Sequence, residues 1–315
     1  MKKIKLLCPN PHVFSQEGLA YARKYFYLDA IKLNQNEFDT LAVEYDAVLV
    51  RFDTQIKKHI MIGNSKLKYV LSPTTGLDHI DLEEVKKNQI KLFHLREKKK
   101  FLTELSGTAE LTIALMFSLL RKIPDSVNSV RKGEWKTENF RGKELRHKNL
   151  GIVGYGRLGK MVGKICRSIG MNISVYDPYL KNIPKYIKYF NDLNSLISHS
   201  DIISLHVPLN SETYKMIGRK EFNSFKNSSY LINTSRGDVI DQKELINCLK
   251  KKKIAGAALD VISQEFKFQN NGESELTTFL NHYDNLIITP HIGGATHESV
   301  IKTDIFIIDQ MLKSV

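Results

Sequence analysis

The chain has 315 residues, 42% of them hydrophobic, and a formal net charge of +13. That length allows two domains with a sizeable core, and no apolar run approaches the ~18 residues of a membrane span, which excludes a membrane-spanning helix. Cys8, Cys166 and Cys248 are too scattered for a disulfide framework or a zinc site and suit a reduced, cytoplasmic setting.

The first hundred residues alternate short apolar runs with polar helical stretches. Lysines open the chain, but the apolar run behind them is too short for a secretion signal and reads as a first strand. Strands are expected at Ile4 to Leu7, Ala47 to Val50, Tyr69 to Leu71 and Ile90 to Phe93, with helices at Gln16 to Tyr25 and Ile56 to Gly63. A long helix, from about Ser106 to Arg121, carries apolar residues on nearly all sides and should be buried, with Pro124 ending it.

From Leu150 the rhythm becomes βα. The run Leu150-Gly151-Ile152-Val153 leads into Gly154-Tyr155-Gly156-Arg157-Leu158-Gly159, then a helix to Ile169, then a second apolar run ending in Asp177. This is the fingerprint of a dinucleotide-binding βαβ unit. Gly154 permits the tight turn, Gly156 lets a pyrophosphate approach the backbone, and Gly159 lets the helix pack on the strand. The helix N-terminus near Arg157 and Leu158 attracts the phosphate charge. Asp177 suits the adenosine ribose hydroxyls and disfavours a 2′-phosphate, so NAD is expected rather than NADP.

Candidate strands continue at Ile173 to Tyr176, Ile202 to Leu205, Leu231 to Asn233, Ala255 to Leu259 and Leu286 to Ile288. With the first, they complete a doubly wound sheet. A helix from Thr296 to Leu312 then falls to the first domain. The expected architecture is α/β: a Rossmann cofactor domain, 101–289, inserted into a discontinuous substrate domain, 1–100 plus 290–315. Hinges are expected near 101–105 and 289–291. Gln264 to Ser274 is polar and reads as a surface loop.

Arg236, Glu265 and His291 each follow one of the last three strands, at the edge where ligands bind in open α/β sheets. An arginine can grip a carboxylate, a histidine can exchange a hydroxyl proton, and an acid can hold the imidazole. The trio suits hydride transfer at a 2-hydroxy or 2-oxo acid. The lysine runs Lys98 to Lys100 and Lys250 to Lys253 lack interleaved aromatics and read as solvated faces, so no nucleic-acid or membrane partner is expected.

These motifs, with Val50-Arg51, Ser72 to Asp81, Ala109-Glu110, Gly133-Glu134-Trp135, Tyr176-Asp177-Pro178 and His206 to Asn210, resemble the D-isomer-specific 2-hydroxyacid dehydrogenase family over almost the whole chain. The resemblance implies Arg236, Glu265 and His291 as the catalytic trio, with Thr75 and Gly76 in a loop whose backbone amides hold the substrate carboxylate. It implies NAD contacts at Arg157, Leu158, Asp177, Val207, Pro208, Thr213, Thr234 and Asp260. It also implies a flavodoxin-like substrate domain and a homodimer packed through the cofactor domains. Arg51 is expected to read the far end of the substrate, a small 2-oxo or 2-hydroxy acid such as 3-phosphoglycerate. No metal is expected. The chain is expected to lack a C-terminal regulatory domain. Phe52, Leu111, His147 and Phe266 depart from the residues common in the family, with His147 a candidate for positive φ. An NAD(H)-sensing corepressor-like protein is the alternative reading.

Overall fold

A computed structural model describes residues 3–63, 65–265, 268, 275–280 and 282–314, apart from the side chain of Thr277. The chain divides into two compact units, Met1–Leu105 with Ala295–Val315, and Ser106–Gly294.

In the first unit, β1 (Lys5–Cys8), β2 (Tyr27–Ala30), β3 (Ala47–Leu49), β4 (Tyr69–Ser72) and β5 (Lys91–His94) form a parallel sheet ordered β2-β1-β3-β4-β5. This is the flavodoxin-like order. Side chains alternate across the sheet, and both faces are covered. Leu6 and Cys8 pack with Leu19, Ala22, Ile307 and Met311, while Leu7 packs with Phe38, Val48 and Ile60.

The helices Gln16–Tyr25 and His297–Leu312 lie side by side on one face. Ser15 and Thr296 cap their N-termini. Ser15 N–H and Oγ also donate to Asp304 at 2.8 Å, and Tyr21 Oη donates to Asp309 at 2.7 Å. The helices approach so closely that a Cβ on Gly18 would stand 2.5 Å from that of Asp304.

The helix expected from Ile56 to Gly63 is not formed. Ile56 makes a single parallel bridge to Ile80, and only a short 3-10 turn, Lys58–Met61, follows. Ile56 and Ile60 are buried four residues apart, which imitates helical periodicity. Strand β2 and the helices Gln35–Leu41 and Leu82–Lys87 add to the expected elements.

In the second unit, β6 (Asn149–Val153), β7 (Asn172–Tyr176), β8 (Lys188–Tyr189), β9 (Ile202–Leu205), β10 (Tyr230–Asn233), β11 (Gly256–Leu259) and β12 (Leu286–Ile288) are all parallel, ordered β12-β11-β10-β9-β6-β7-β8. The order reverses between β6 and β9, the switch point where a dinucleotide sits in a Rossmann sheet. The short edge strand β8 extends the six expected strands.

The helix Gly107–Leu120 covers one face through Ala109, Leu115, Met116 and Leu119. Phe117 on the same helix remains exposed, so its burial is one-sided. Pro124 does not end this helix. Lys122, at φ +51°, makes the turn, and Pro124 stands in the first turn of the next helix, Ile123–Arg131, where its missing N–H costs nothing. The helix Arg157–Ser168 ends at Gly170, whose φ of +87° closes its C-terminus. His147 has φ +64°. Of Gln264 to Ser274, only Gln264, Glu265 and Phe268 are among the described residues. No helix among the described residues is long and apolar enough to cross a membrane.

Candidate active site

The loops that leave the carboxyl ends of six strands of the second unit carry every site residue expected there: Gly154 to Gly159 after β6, Asp177 after β7, Val207, Pro208 and Thr213 after β9, Thr234 and Arg236 after β10, Asp260 and Glu265 after β11, and His291 after β12. Parallel strands end on one edge, so residues far apart in sequence share one rim.

The three fingerprint glycines differ in what surrounds them. Gly154 has φ +88°, and a Cβ there would meet the His206 carbonyl oxygen at 2.7 Å. On Gly159 it would meet the Gly154 carbonyl oxygen at 2.2 Å, so the helix rests on the turn. On Gly156, the N-cap of the helix, it would meet no protein atom within 4 Å. That open side fits a phosphate cradle over the first turn, near Arg157 and Leu158. Asp177 accepts the Tyr155 N–H at 2.8 Å and the Tyr179 N–H at 2.9 Å. After β9, Thr213 Oγ donates to the Pro208 carbonyl at 2.6 Å and accepts the Asn210 N–H at 2.9 Å, closing that loop on itself. The His206 ring bonds Ser204 Oγ at 2.8 Å, and burial pushes its pKa down to about 4.

At the other side of the sheet, Asn233 braces the turn that presents Arg236. Its fully buried amide accepts the Ser235 N–H at 3.0 Å and the Ser235 hydroxyl at 2.8 Å, and donates to the Arg236 carbonyl at 2.9 Å. Thr234 is buried against Thr112, with hydroxyls 2.8 Å apart. A Cβ on Gly237 would overlap the Ile262 carbonyl oxygen at 1.9 Å, so the loops bearing Arg236 and Glu265 lie in contact.

Glu265 accepts the Ile262 N–H at 3.1 Å through Oε1, and its Oε2 lies 2.7 Å from His291 Nδ1. His291 sits at φ +54°. Asp260 holds it there. The Asp260 carbonyl accepts the His291 N–H at 2.9 Å, and its carboxylate takes Thr289 Oγ at 2.6 Å, Ile292 N–H at 2.8 Å and Gly293 N–H at 2.7 Å. Burial pushes the Asp260 carboxyl up, while these hydrogen bonds and the nearby His291 pull it back. Asp260, one of the expected cofactor contacts, also braces the His291 segment in this structure. Its signal in sequence was an acid closing a fully apolar strand. Asn233, a polar residue at the end of the apolar run of β10, offers a similar signal.

In the first unit, Arg51 is engaged by the last helix. Its guanidinium bonds Asp304 at 2.6 Å and Thr303 Oγ at 3.1 Å, and stacks 5.1 Å over the Phe14 ring. A longer bond, 3.4 Å, reaches the Pro73 carbonyl. Thr75 and Gly76 follow β4. The Gly76 carbonyl accepts Thr74 Oγ at 2.8 Å, and Ser72 links Thr74 to the buried His79 ring.

Residues 113–293 match the D-isomer specific 2-hydroxyacid dehydrogenase, NAD binding domain. The chain is 38% identical to a glyoxylate reductase of Thermococcus litoralis, over 81% of this chain and 76% of that one. It is 31% identical to a D-3-phosphoglycerate dehydrogenase of Archaeoglobus fulgidus, over 98% of this chain and 57% of the relative. It thus spans about half the length of the D-3-phosphoglycerate dehydrogenases it matches. A solved structure of the TT0316 protein from Thermus thermophilus superposes with a TM-score of 0.85 at 26% identity, over 98% of this chain and 96% of that one. The chain belongs to the D-isomer specific 2-hydroxyacid dehydrogenase family.

Proposed function

We propose that the chain is an NAD-dependent oxidoreductase that interconverts a 2-oxo acid and the matching D-2-hydroxy acid. The hydrogen bond between Glu265 and His291, on the rim where the glycine fingerprint also lies, carries this reading. Glu265 fixes the imidazole through Nδ1, which directs Nε2 to give or take the proton of the substrate hydroxyl. Arg236 grips the carboxylate and polarises the reacting oxygen. Thr75 and Gly76 are the first unit's candidates for holding the carboxylate by backbone amides. Arg51 supports the neighbouring Pro73 carbonyl.

A nicotinamide dinucleotide fits the open side of Gly156 and the fixed carboxylate of Asp177, and when bound it supplies or accepts the hydride. Arg157, Leu158, Val207, Pro208, Thr213 and Thr234 line that rim. Asp177 favours NAD over NADP. The chain's net charge of +13 suits an anionic acid, including phosphorylated ones such as 3-phosphoglycerate. We also infer a homodimer through the second unit, where Phe117, Ile123, Val127, Val130 and Trp135 leave apolar surface exposed within one short stretch of chain.

The test is a panel of 2-oxo acids with NADH, among them glyoxylate, hydroxypyruvate, pyruvate and 3-phosphohydroxypyruvate. Oxidation of NADH by at least one is expected. NADH binding without turnover across the panel would favour the NAD(H)-sensing reading instead.

A further inference from the structure

Around β7 and β9, the strands that flank β6, the rim holds a second acid that the fingerprint does not account for. Tyr179, whose N–H is bonded to Asp177, donates its phenol to the carboxylate of Glu212, in the segment after β9. Glu212 is fixed from behind, since its N–H donates to Asn210 Oδ1 at 2.9 Å and Asn210 is tied to Thr213. One side-chain bridge thus joins the loops that leave β7 and β9.

Both bridging residues are exposed, Tyr179 by 71%, so neither is spent on the core. Among the described residues, neither Asp177 nor Glu212 forms an ion pair, although cationic residues outnumber acids by 47 to 34 in the chain. Burial pushes the Tyr176 phenol up, with smaller contributions from Asp192, Asp177 and Glu212, while at Tyr179 the hydrogen bond and charge of Glu212 lead, with Asp177 adding a smaller part. Two carboxylates without ion-pair partners among the described residues thus stand at this end of the rim of a basic chain.

We propose that Glu212, held in place by Tyr179, is a second determinant of dinucleotide choice. Together with Asp177 it makes a negative field at the adenosine ribose that admits a 2′-hydroxyl and repels a 2′-phosphate. The proposal rests on Asp177 being the ribose acid. A bridge that serves only to brace the two loops would need the hydrogen bond at Glu212 but not its charge.

Titration of NADH and NADPH into the full chain, followed by nucleotide fluorescence without substrate, separates these cases. Glu212→Gln keeps an acceptor for the phenol and removes the charge. It should lower the ratio of the NADPH to the NADH dissociation constant about three- to tenfold at low salt. At 1 M salt, where screening acts within about 3 Å, that difference should shrink. Tyr179→Phe, which releases Glu212, should shift the ratio in the same direction. A ratio unmoved by Glu212→Gln, or a shift that persists at 1 M salt, overturns the proposal. A ratio moved by Glu212→Gln but not by Tyr179→Phe overturns the role of the bridge. If Asp177→Ala relaxes the ratio and Glu212→Gln does not, the proposal fails while the ribose role of Asp177 stands. If Asp177→Ala leaves the ratio unmoved, that role fails first.

Discussion

Glu265 Oε2 and His291 Nδ1 lie 2.7 Å apart on side chains that are 27% and 23% exposed. Left-handed backbone accompanies both: Gln264, just before the acid, has φ +59°, and His291 itself has φ +54°. Non-glycine residues in that region cost about 1–3 kcal/mol each and persist where surrounding bonds over-determine them. Asp260 supplies those bonds at His291.

His291→Ala should lower turnover by about 10²-fold or more, the scale of losing a general acid or base. Glu265→Gln should lower kcat more than it raises KM, because it disturbs the ring and leaves Arg236 in place. Steady-state kinetics on the best substrate of the panel checks both. Near-normal turnover in His291→Ala would remove it from the mechanism.

The glycines of the fingerprint should separate under substitution. Gly159→Ala forces a Cβ to 2.2 Å from the Gly154 carbonyl and should cost about 1–3 kcal/mol of stability. Gly156→Ala meets no protein atom within 4 Å, at an ordinary φ of −75°. It should therefore melt like the parent chain and bind NADH more weakly. Thermal melts paired with NADH titration read the difference, and normal NADH affinity in Gly156→Ala would rule out the pyrophosphate approach.

Asp260→Asn replaces a buried carboxylate that accepts three side-chain or backbone hydrogen bonds. An amide cannot accept all three in the same geometry. Stability should fall by about 1–3 kcal/mol, and kcat should fall because His291 loses its seat. Denaturant unfolding and turnover are measured together. A destabilised variant with full kcat would separate the brace from the chemistry.

His206 should make stability depend on pH. Its ring has an ordinary pKa of 6.5 and is pushed down to about 4 by burial. Between those values only the unfolded chain holds the proton, so stability falls as pH drops from 6.5 towards 4 and levels off below. Replacing His206 with Asn should flatten that part of the profile, measured as denaturant midpoint against pH. Superimposable profiles would contradict the burial effect.

The homodimer should appear by light scattering as about twice the 36.1 kDa chain mass. Val127→Asp combined with Val130→Asp should give a folded monomer, since both valines are exposed in the single chain. A wild-type monomer would overturn the inference.

The strands most legible in sequence are those buried on both faces, such as Ala47–Leu49 and Gly256–Leu259, where burial demands an unbroken apolar run. The strands β2 and β8 lie at sheet edges and alternate exposed with half-buried residues, which leaves no run to read. Ile56, Ile60 and Met61 misled because their burial comes from a bridge and a 3-10 turn that share helical spacing. At the site, Glu265 and His291 were legible because strand ends converge in a parallel sheet. The bracing roles of Asn233 and Asp260 were not, because they depend on which loop lies opposite, and spacing does not carry that.

Asp260 also changes what kind of segment bears His291. The amides of Ile292 and Gly293 belong to no helix or strand, yet both end on a carboxylate that is 2% exposed. Such amides exchange with solvent only when the carboxylate itself is uncovered. By hydrogen exchange the segment would therefore be slow, grouped with β11 and β12 and not with the surface loops. His291 thus sits on what is in effect the sheet's own rigid margin.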